Sequence, residues 1–267
     1  MHLALLHDGR PALLRVEGPA GAPIALFFHP FPLHADVWEE MLQACAASGL
    51  CAAALDAPGF GGTPPLGQPL TMERLAELGV CALDTLGAHR ASVVGCSMGG
   101  YAAMAFARLF PQRLNAVALL ATKAAPDTEE GKKNRERLAQ LALMNGPDPV
   151  LAEFVPKLLS PDPPPGTRAR VQDLAKRATA QGLADALRGM ALRPDSTPHL
   201  AGVQAPTLVI AGENDQLMPR TEMEAIAKAV PKARLHVIAG AGHLPFLERP
   251  REVASLLTAH LQMRVRD

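Results

Sequence analysis

Short apolar runs alternate with longer amphipathic segments along most of the chain. Six runs are predominantly apolar and are bounded by Gly, Pro or Asp: residues 24–29, 51–55, 91–95, 114–121, 207–211 and 235–238. Runs of this kind are typical of strands buried on both faces of a parallel sheet. Helical spacing marks five segments between them: residues 35–47, 71–86, 97–109, 221–230 and 251–261. The alternation predicts an α/β fold with a mostly parallel, doubly wound sheet.

The beginning of the chain follows a different pattern. The runs 2–6 and 13–16 flank Asp8, Gly9 and Arg10, a triplet that favours a turn. We therefore expect an antiparallel hairpin at one edge of the sheet, which makes the run at 114–121 the sixth strand.

Residues 124–199 have no convincing strand pattern. Helical spacing predicts helices at 129–144, 171–180 and 183–192, with Asp127 and Thr128 as the N-cap region of the first. We expect a helical cap here, inserted after the sixth strand. The α/β core is then divided into residues 1–123 and residues 200–267. An independent helical domain is the alternative, although the strand pattern resumes directly after it.

The composition indicates a globular protein and disfavours two classes of partner. In 267 residues, 26 basic and 26 acidic side chains balance, so the chain lacks the basic excess of a nucleic-acid-binding surface. No run reaches the roughly 18 apolar residues of a membrane helix, and the first residues make a poor signal peptide. The four cysteines lack metal-ligand spacing and fit buried, reduced thiols. We therefore expect no metal, no membrane contact and a cytoplasmic location.

The strongest chemical motif is Gly-Cys-Ser-Met-Gly-Gly at 95–100, between a predicted strand and a predicted helix. This is the setting of a nucleophile elbow, a strained turn that presents a serine and needs small neighbours. Ser97 is therefore the candidate nucleophile, and the helix N-terminus beside it offers N–H groups to a developing oxyanion. A glycine-rich packing turn with an inert serine is the alternative.

A serine nucleophile needs a base and an acid that orients the base, and both are expected after later strands. Asp215 follows the strand at 207–211, and His243 follows the strand at 235–238. The order Ser97, Asp215, His243 is the chain order expected of this arrangement. Glu213, on the same turn as Asp215, is the alternative acid.

An oxyanion hole requires two backbone donors. Met98, directly after Ser97, supplies one candidate N–H. The loop at 29–32 reads His-Pro-Phe-Pro, and because proline has no N–H, Phe31 is the candidate donor there. A rigid turn without a catalytic role is the alternative for this loop.

Substrate contacts are predicted close to that loop and in the cap. Leu33, His34 and Trp38 follow the loop and are candidates to line the pocket, with core packing as the alternative for Trp38. The cap carries 11 basic and 10 acidic side chains, so it shows no bulk preference for anions. One or two of its arginines could nevertheless hold a substrate carboxylate.

Together these motifs resemble the α/β-hydrolase superfamily, in the branch of small cap-bearing serine esterases, enol-lactonases and haloperoxidase-like proteins. The resemblance spans essentially the whole chain and rests on residues 29–32, 56–61 and 95–100 and on the loops of Asp215 and His243. It implies that Asp56 belongs to a structural turn. Pro30 stands where the family usually has glycine, which stiffens the loop and leaves Phe31 as its donor.

The resemblance implies hydrolysis of small carboxylic esters by a Ser-His-Asp triad through an acyl-enzyme, without a metal or organic cofactor. The sequence leaves open lactone or enol-lactone hydrolysis, and carbon–carbon bond hydrolysis, perhydrolysis or hydroxynitrile cleavage by the same triad. It also leaves open a ligand-sensing protein that retains the triad. It does not predict the oligomeric state.

Overall fold

A computed structural model describes residues 2–7 and 9–262, and within them the chain forms one eight-stranded sheet. The strands are β1 (His2–His7), β2 (Arg10–Glu17), β3 (Ile24–Phe28), β4 (Cys51–Leu55), β5 (Ala91–Cys96), β6 (Leu114–Leu120), β7 (Thr207–Gly212) and β8 (Arg234–Ile238). Their order is β1-β2-β4-β3-β5-β6-β7-β8. β2 runs antiparallel to both its neighbours, and the other pairs are parallel. The predicted mostly parallel α/β sheet is confirmed.

Helices follow most of the strands. In chain order they are α1 (Glu39–Ala47), α2 (Met72–Thr85), α3 (Met98–Leu109), α4 (Glu129–Asn145), α5 (Asp148–Phe154), α6 (Thr167–Ala175), α7 (Ala180–Ala191), α8 (Thr197–Leu200), α9 (Arg220–Ala229), α10 (Pro245–Glu248) and α11 (Pro250–Leu261). The five predicted core helices correspond to α1, α2, α3, α9 and α11. The segment before α1 forms a short 3-10 helix, Ala35–Trp38.

Side chains along the central strands alternate between two layers of the core. Leu26 and Val93 face the layer that contains α2, α3 and α9. Phe27 and Val94, the next residue of each strand, face the layer that contains α1 and α11. Because neither face meets water, these strands have continuous apolar sequences instead of alternating ones.

The N-terminal hairpin is confirmed. β1 pairs with β2 from His2 opposite Arg15 to His7 opposite Arg10. β2 continues the sheet by pairing with β4, so the hairpin forms the antiparallel edge. Asp8, predicted in the turn, lies outside the described residues.

Helices α4 to α8 occupy the chain between β6 and β7, where a helical insertion is predicted. α4 begins after Thr128, whose side chain accepts a hydrogen bond from the Gly131 N–H, as its N-cap assignment implies. Helix α6 spans Thr167–Ala175, so both ends of the helix predicted at 171–180 are wrong. Thr179, which the prediction places inside that helix, instead caps α7. The division into core and cap domains stays a prediction.

Helix α5 is absent from the predicted elements. It is flanked by Pro147 and contains Pro149, and a sequence pattern with two prolines indicates a break. Proline nevertheless fits the first turn of a helix, where its missing N–H has no partner to lose. The two prolines therefore start this helix.

Three of the four thiols, those of Cys45, Cys51 and Cys96, are buried, and Cys81 is half-buried. Burial raises the pKa of Cys45 to about 12, so this thiol stays protonated at neutral pH. In the part of the chain that the structure describes, no helix is long and apolar enough to span a bilayer. The cytoplasmic location stays a prediction.

Candidate active site

Ser97 sits between the end of β5 and the start of α3, in a backbone conformation that few non-glycine residues adopt. Its φ is 53° and its ψ is −114°, outside the regions that hard-sphere contacts allow for most side chains. Such a conformation costs roughly 1–3 kcal/mol and persists only where its surroundings enforce it. The Ser97 carbonyl accepts a hydrogen bond from Thr122 Oγ1 at 2.9 Å, which ties the elbow to the end of β6.

Glycines around Ser97 make this tight turn possible. A Cβ on Gly95 would lie 2.0 Å from the Gly99 carbonyl oxygen, and a Cβ on Gly99 would lie 2.1 Å from the Phe28 carbonyl oxygen. A Cβ on Gly100 would lie 2.5 Å from Thr122 Oγ1. The spacing read as an elbow in the sequence therefore has a steric cause: helix α3 packs directly against β3, β5 and the end of β6.

His243 and Asp215 form a buried hydrogen-bonded pair. His243 Nδ1 lies 2.8 Å from Asp215 Oδ2 and 3.0 Å from Oδ1, and each side chain is 2% exposed. Asp215 Oδ1 also accepts the N–H groups of Leu217 and Met218, at 2.8 and 3.0 Å. Because a carboxylate only accepts, the proton of the neutral ring lies on Nδ1, which leaves Nε2 free to act as a base.

The alternative acid, Glu213, points elsewhere. Its side chain is exposed and accepts a hydrogen bond from the Gly240 N–H at 2.8 Å. Asp215 is the carboxylate that contacts the imidazole, so the structure pairs His243 with the acid that the sequence favours.

A second buried carboxylate, Glu248, holds the loop that carries His243. Glu248 Oε1 accepts the Gly242 N–H at 2.8 Å, and both of its oxygens accept the Ser160 N–H at 3.2 Å. Its Oε2 also accepts the Ser160 hydroxyl. Glu248 therefore joins the loop to the helical insertion. It has no role in the sequence-based prediction, because a single glutamate five residues after the histidine carries no recognisable pattern.

The loop that carries Phe31 is held by a buried histidine. The His29 ring contacts the Pro30 carbonyl through Nδ1 and the Ala57 N–H through Nε2, each at 3.0 Å. Nε2 accepts from an N–H, so Nδ1 donates and the ring is neutral. Burial lowers the pKa of His29 to about 4, in keeping with this neutral form. Pro30 thus contributes an anchored carbonyl to a rigid loop.

The predicted structural turn at Asp56 has the contacts expected of it. The Asp56 carboxylate accepts the N–H of Ala35 at 2.8 Å and the N–H of Gly62 at 3.0 Å. One hydrogen bond closes the loop after β4 on itself, and the other joins that loop to the segment after β3. The Met98 N–H, at the first residue of α3, belongs to the N–H groups that have no partner within the helix. The oxyanion roles of Met98 and Phe31 stay predictions.

Ser97, His243 and Phe31 line one cavity of about 200 Å³. The helical insertion supplies an apolar wall through Leu138, Phe154 and Met190. A similar cavity of about 220 Å³ has a different lining, which includes Val117 of β6 and Thr207 of β7 but not Ser97. The first cavity is the candidate active site, since it brings the candidate nucleophile and the candidate base together.

Three residues predicted to line the substrate pocket lie elsewhere. Leu33 is fully buried in the core, and the Trp38 ring stacks on Phe246 with centroids 4.0 Å apart. His34 is buried beside Asp56 and caps the 3-10 helix. Burial lowers the pKa of His34. The structure does not bring these three residues to the cavity lining, because their side chains are buried elsewhere: Trp38 packs against Phe246 of α10, and His34 lies beside Asp56.

Two charged residues of the insertion, Asp127 and Arg135, do line the cavity. Arg135 stands among the cap arginines considered as carboxylate partners, but the sequence does not single it out. Asp127 precedes α4 and Arg135 lies within it, so no regular helical spacing in the sequence connects the two residues.

No group of three or more His, Cys, Asp or Glu side chains within residues 2–7 and 9–262 is arranged to hold a metal ion. The cavity at Ser97 is lined by the serine, by His243, by the charged Asp127 and Arg135, and by polar and apolar side chains around them. Such a lining supports chemistry carried by the side chains themselves.

Comparison with known proteins gives matches over most of the chain. The family model of the alpha/beta hydrolase fold matches residues 23–250. The chain is 31% identical over 215 residues to a poly(3-hydroxyalkanoate) depolymerase from Ectopseudomonas oleovorans, covering 78% of this chain and 74% of that protein.

Solved structures agree with this match. A thermophilic esterase from Thermogutta terrifontis superposes with a TM-score of 0.91 at 32% identity, and the match covers 97% of each chain. An enol-lactonase from Burkholderia xenovorans LB400 superposes with a TM-score of 0.89 at 24% identity, covering 98% of this chain and 99% of that one. The second likeness shows the fold alone.

Proposed function

The chain belongs to the alpha/beta hydrolase fold family, and from that premise we propose that it is a serine hydrolase of carboxylic esters. The observation that carries the proposal is the His243–Asp215 pair at 2.8 Å, beside a cavity that it shares with the strained Ser97. Among the reactions open to such a triad, the similarity to proteins named as a poly(3-hydroxyalkanoate) depolymerase and as a thermophilic esterase favours ester cleavage.

The proposed reaction has two halves. Ser97 Oγ attacks the ester carbonyl carbon while His243 Nε2 removes the hydroxyl proton, and Asp215 stabilises the charged imidazole. The N–H groups of Phe31 and Met98 stabilise the oxyanion, for which one donor contributes about 10²–10³-fold in rate. His243 protonates the departing alcohol, and an acyl-enzyme remains. Water, deprotonated by His243, then releases the acid and restores Ser97.

Lactones are cyclic esters, so the same steps open their ring. The apolar wall of Leu138, Phe154 and Met190 suits an aliphatic or aromatic acyl chain and does not by itself distinguish open from cyclic esters. Lactone hydrolysis therefore stays the second candidate, and ester hydrolysis is tested first.

Steady-state hydrolysis of p-nitrophenyl acetate, butyrate and octanoate tests the proposal. Ser97→Ala removes the nucleophile, so we expect kcat/KM to fall by about 10³-fold or more while the wild type turns over repeatedly. Ser255→Ala, on the exposed face of α11, is the matched control and should retain wild-type rates.

Two outcomes would contradict the proposal. Hydrolysis that survives Ser97→Ala would assign the activity to another group. A burst of about one equivalent without further turnover would favour the ligand-sensing alternative, in which the acyl-enzyme does not break down.

A further inference from the structure

Three cations surround one carboxylate at the wall of the cavity. Asp127 Oδ1 accepts from Arg193 Nη2 at 2.8 Å and lies 3.4 Å from Lys123 Nζ. Arg135 Nε donates to the other oxygen, Asp127 Oδ2. We refer to Lys123, Asp127, Arg135 and Arg193 as the cation cluster.

The cation cluster carries more positive charge than Asp127 can neutralise. Burial opposes ionisation of Asp127, but hydrogen bonds from Arg193 and Arg135 outweigh it and hold the pKa of this carboxyl well below its usual range. Three positive charges thus face one negative charge. Glu222, on α9, interacts electrostatically with the neighbouring Tyr101. When the negative charge of Glu222 is counted together with the cluster, an excess of one positive charge remains.

Arg193 has a structural role within the cluster. It is 6% exposed, donates to the carbonyls of Met190 and Ala125 at 2.8 and 3.0 Å, and lies 4.1 Å above the Tyr101 ring. These contacts, with the hydrogen bond to Asp127, hold Arg193 behind the cavity wall. Because Arg193 neutralises Asp127, Arg135 remains available to a further anion.

Arg135 is the member of the cluster that lines the cavity together with Asp127. Its Nη1 contacts the Met190 sulfur at 3.4 Å, a weak acceptor, and its Nη2 lies 3.5 Å from Asp127 Oδ1. A guanidinium carries five N–H donors, and the strong hydrogen bond to Asp127 uses its Nε edge. The Nη edge can therefore receive a second carboxylate.

We propose that Arg135 binds a carboxylate of the substrate while Ser97 attacks an ester at the other end, so that the preferred substrates are monoesters of dicarboxylic acids. The inference rests on the proposed ester hydrolysis and names its substrate class. In the reaction the acyl C–O bond breaks, and water supplies OH to the acyl group and H to the alcohol. The product is a dicarboxylate, with the Arg135-bound group unchanged.

Monomethyl and dimethyl esters of glutarate and adipate test the selectivity. The two esters of each acid have nearly the same length and differ in one negative charge. Arg135→Gln should lower the ratio of kcat/KM for the monoester over the diester by about 10–100-fold, since a charge-assisted hydrogen bond is lost. Arg137→Gln, on α4 but paired with Glu153 on the surface, changes the same charge and should leave the ratio unaltered.

A direct binding measurement separates this inference from the proposed function. Adipate titrated calorimetrically into Ser97→Ala should bind saturably, and adding Arg135→Gln should weaken that binding at least 10-fold. Absence of binding, or equal losses on monoester and diester with Arg135→Gln, would overturn the carboxylate site even if ester hydrolysis is real. Adipate binding without Ser97-dependent hydrolysis would leave the site standing and overturn the proposed function.

Discussion

The sheet core and the helical insertion contribute to the same cavity in different ways. Core residues Ser97, Asp215 and His243 follow strand ends, so strand pairing determines their positions. The insertion contributes Arg135 and apolar side chains, which are positioned by helices packing on one another and on the core. The difference separates chemistry from selectivity: core substitutions should slow every substrate, whereas insertion substitutions should change the choice among substrates.

The largest expected effect comes from a substitution in the sheet core, at the acid of the candidate triad. Asp215→Asn keeps the size of the side chain but offers an amide donor to His243 Nδ1, which favours the tautomer with its proton on Nε2. That ring cannot accept the Ser97 proton, so we expect kcat to fall about 10³–10⁴-fold on all p-nitrophenyl esters. Glu213→Gln makes the same change on the same turn and should keep wild-type rates. Similar losses in both variants would contradict the assignment of the acid.

The second effect concerns pH and the stability of the core. Burial lowers the pKa of His260 to about 4, and its Nε2 donates to the Val117 carbonyl at 3.0 Å. In the unfolded chain the imidazole of His260 takes up a proton near pH 6.5, whereas in the folded chain it stays neutral at that pH. The resulting stability is present above pH 6.5 and is lost as pH falls towards 4, by about 3 kcal/mol for this histidine.

Urea unfolding of wild type and His260→Gln between pH 7 and pH 4 measures this effect. Glutamine can keep a donor to Val117 but has no titrating group, so its stability should depend less steeply on pH. His89→Gln, at an exposed position, is the matched control and should follow the wild-type curve. Identical curves for all three proteins would show that His260 does not titrate in this range.

Glu248 tests the connection between the two regions. Glu248→Gln removes the charge that accepts from Ser160 and Gly242, so we expect a loss of about 2 kcal/mol in the free energy of unfolding. Because the loop of His243 loses its anchor, kcat should fall as well. Glu252→Gln, an exposed neighbour on α11, should change neither. Full activity at full stability would remove Glu248 as a positioning residue.

The smallest effect belongs to the insertion. Arg188 on α7 donates to both oxygens of Glu136 on α4, at 2.7 and 2.9 Å, with side chains 32% and 45% exposed. Water screens such a pair, so Arg188→Gln should cost less than about 1 kcal/mol in thermal unfolding and leave hydrolysis rates unchanged. A larger loss would mean that this ion pair, and not apolar packing, holds α4 and α7 together.

Elements that depend on neighbouring residues are the ones the sequence predicts well. β4 is predicted at its observed bounds, because an apolar run bounded by Gly and Asp is a local property. The elbow is recognisable because its glycines and its serine lie within six residues. Helix α5 and the ends of α6 are missed, because proline and polar residues leave the local pattern ambiguous.

Contacts between residues far apart in the sequence cannot be predicted from local patterns. Trp38 is an apolar aromatic residue close in sequence to the candidate oxyanion loop, which predicts a pocket position, yet its ring stacks on Phe246. Arg135 and Arg193 are 58 positions apart and meet at one carboxylate. Hydrophobic periodicity indicates which side of a helix or strand is apolar, but it does not identify the residues against which that side packs. The amino-acid sequence alone thus predicted the strands, the elbow and the order of the candidate triad along the chain. Folding determined which side chains line the cavity, because packing brings together residues with no relation in sequence.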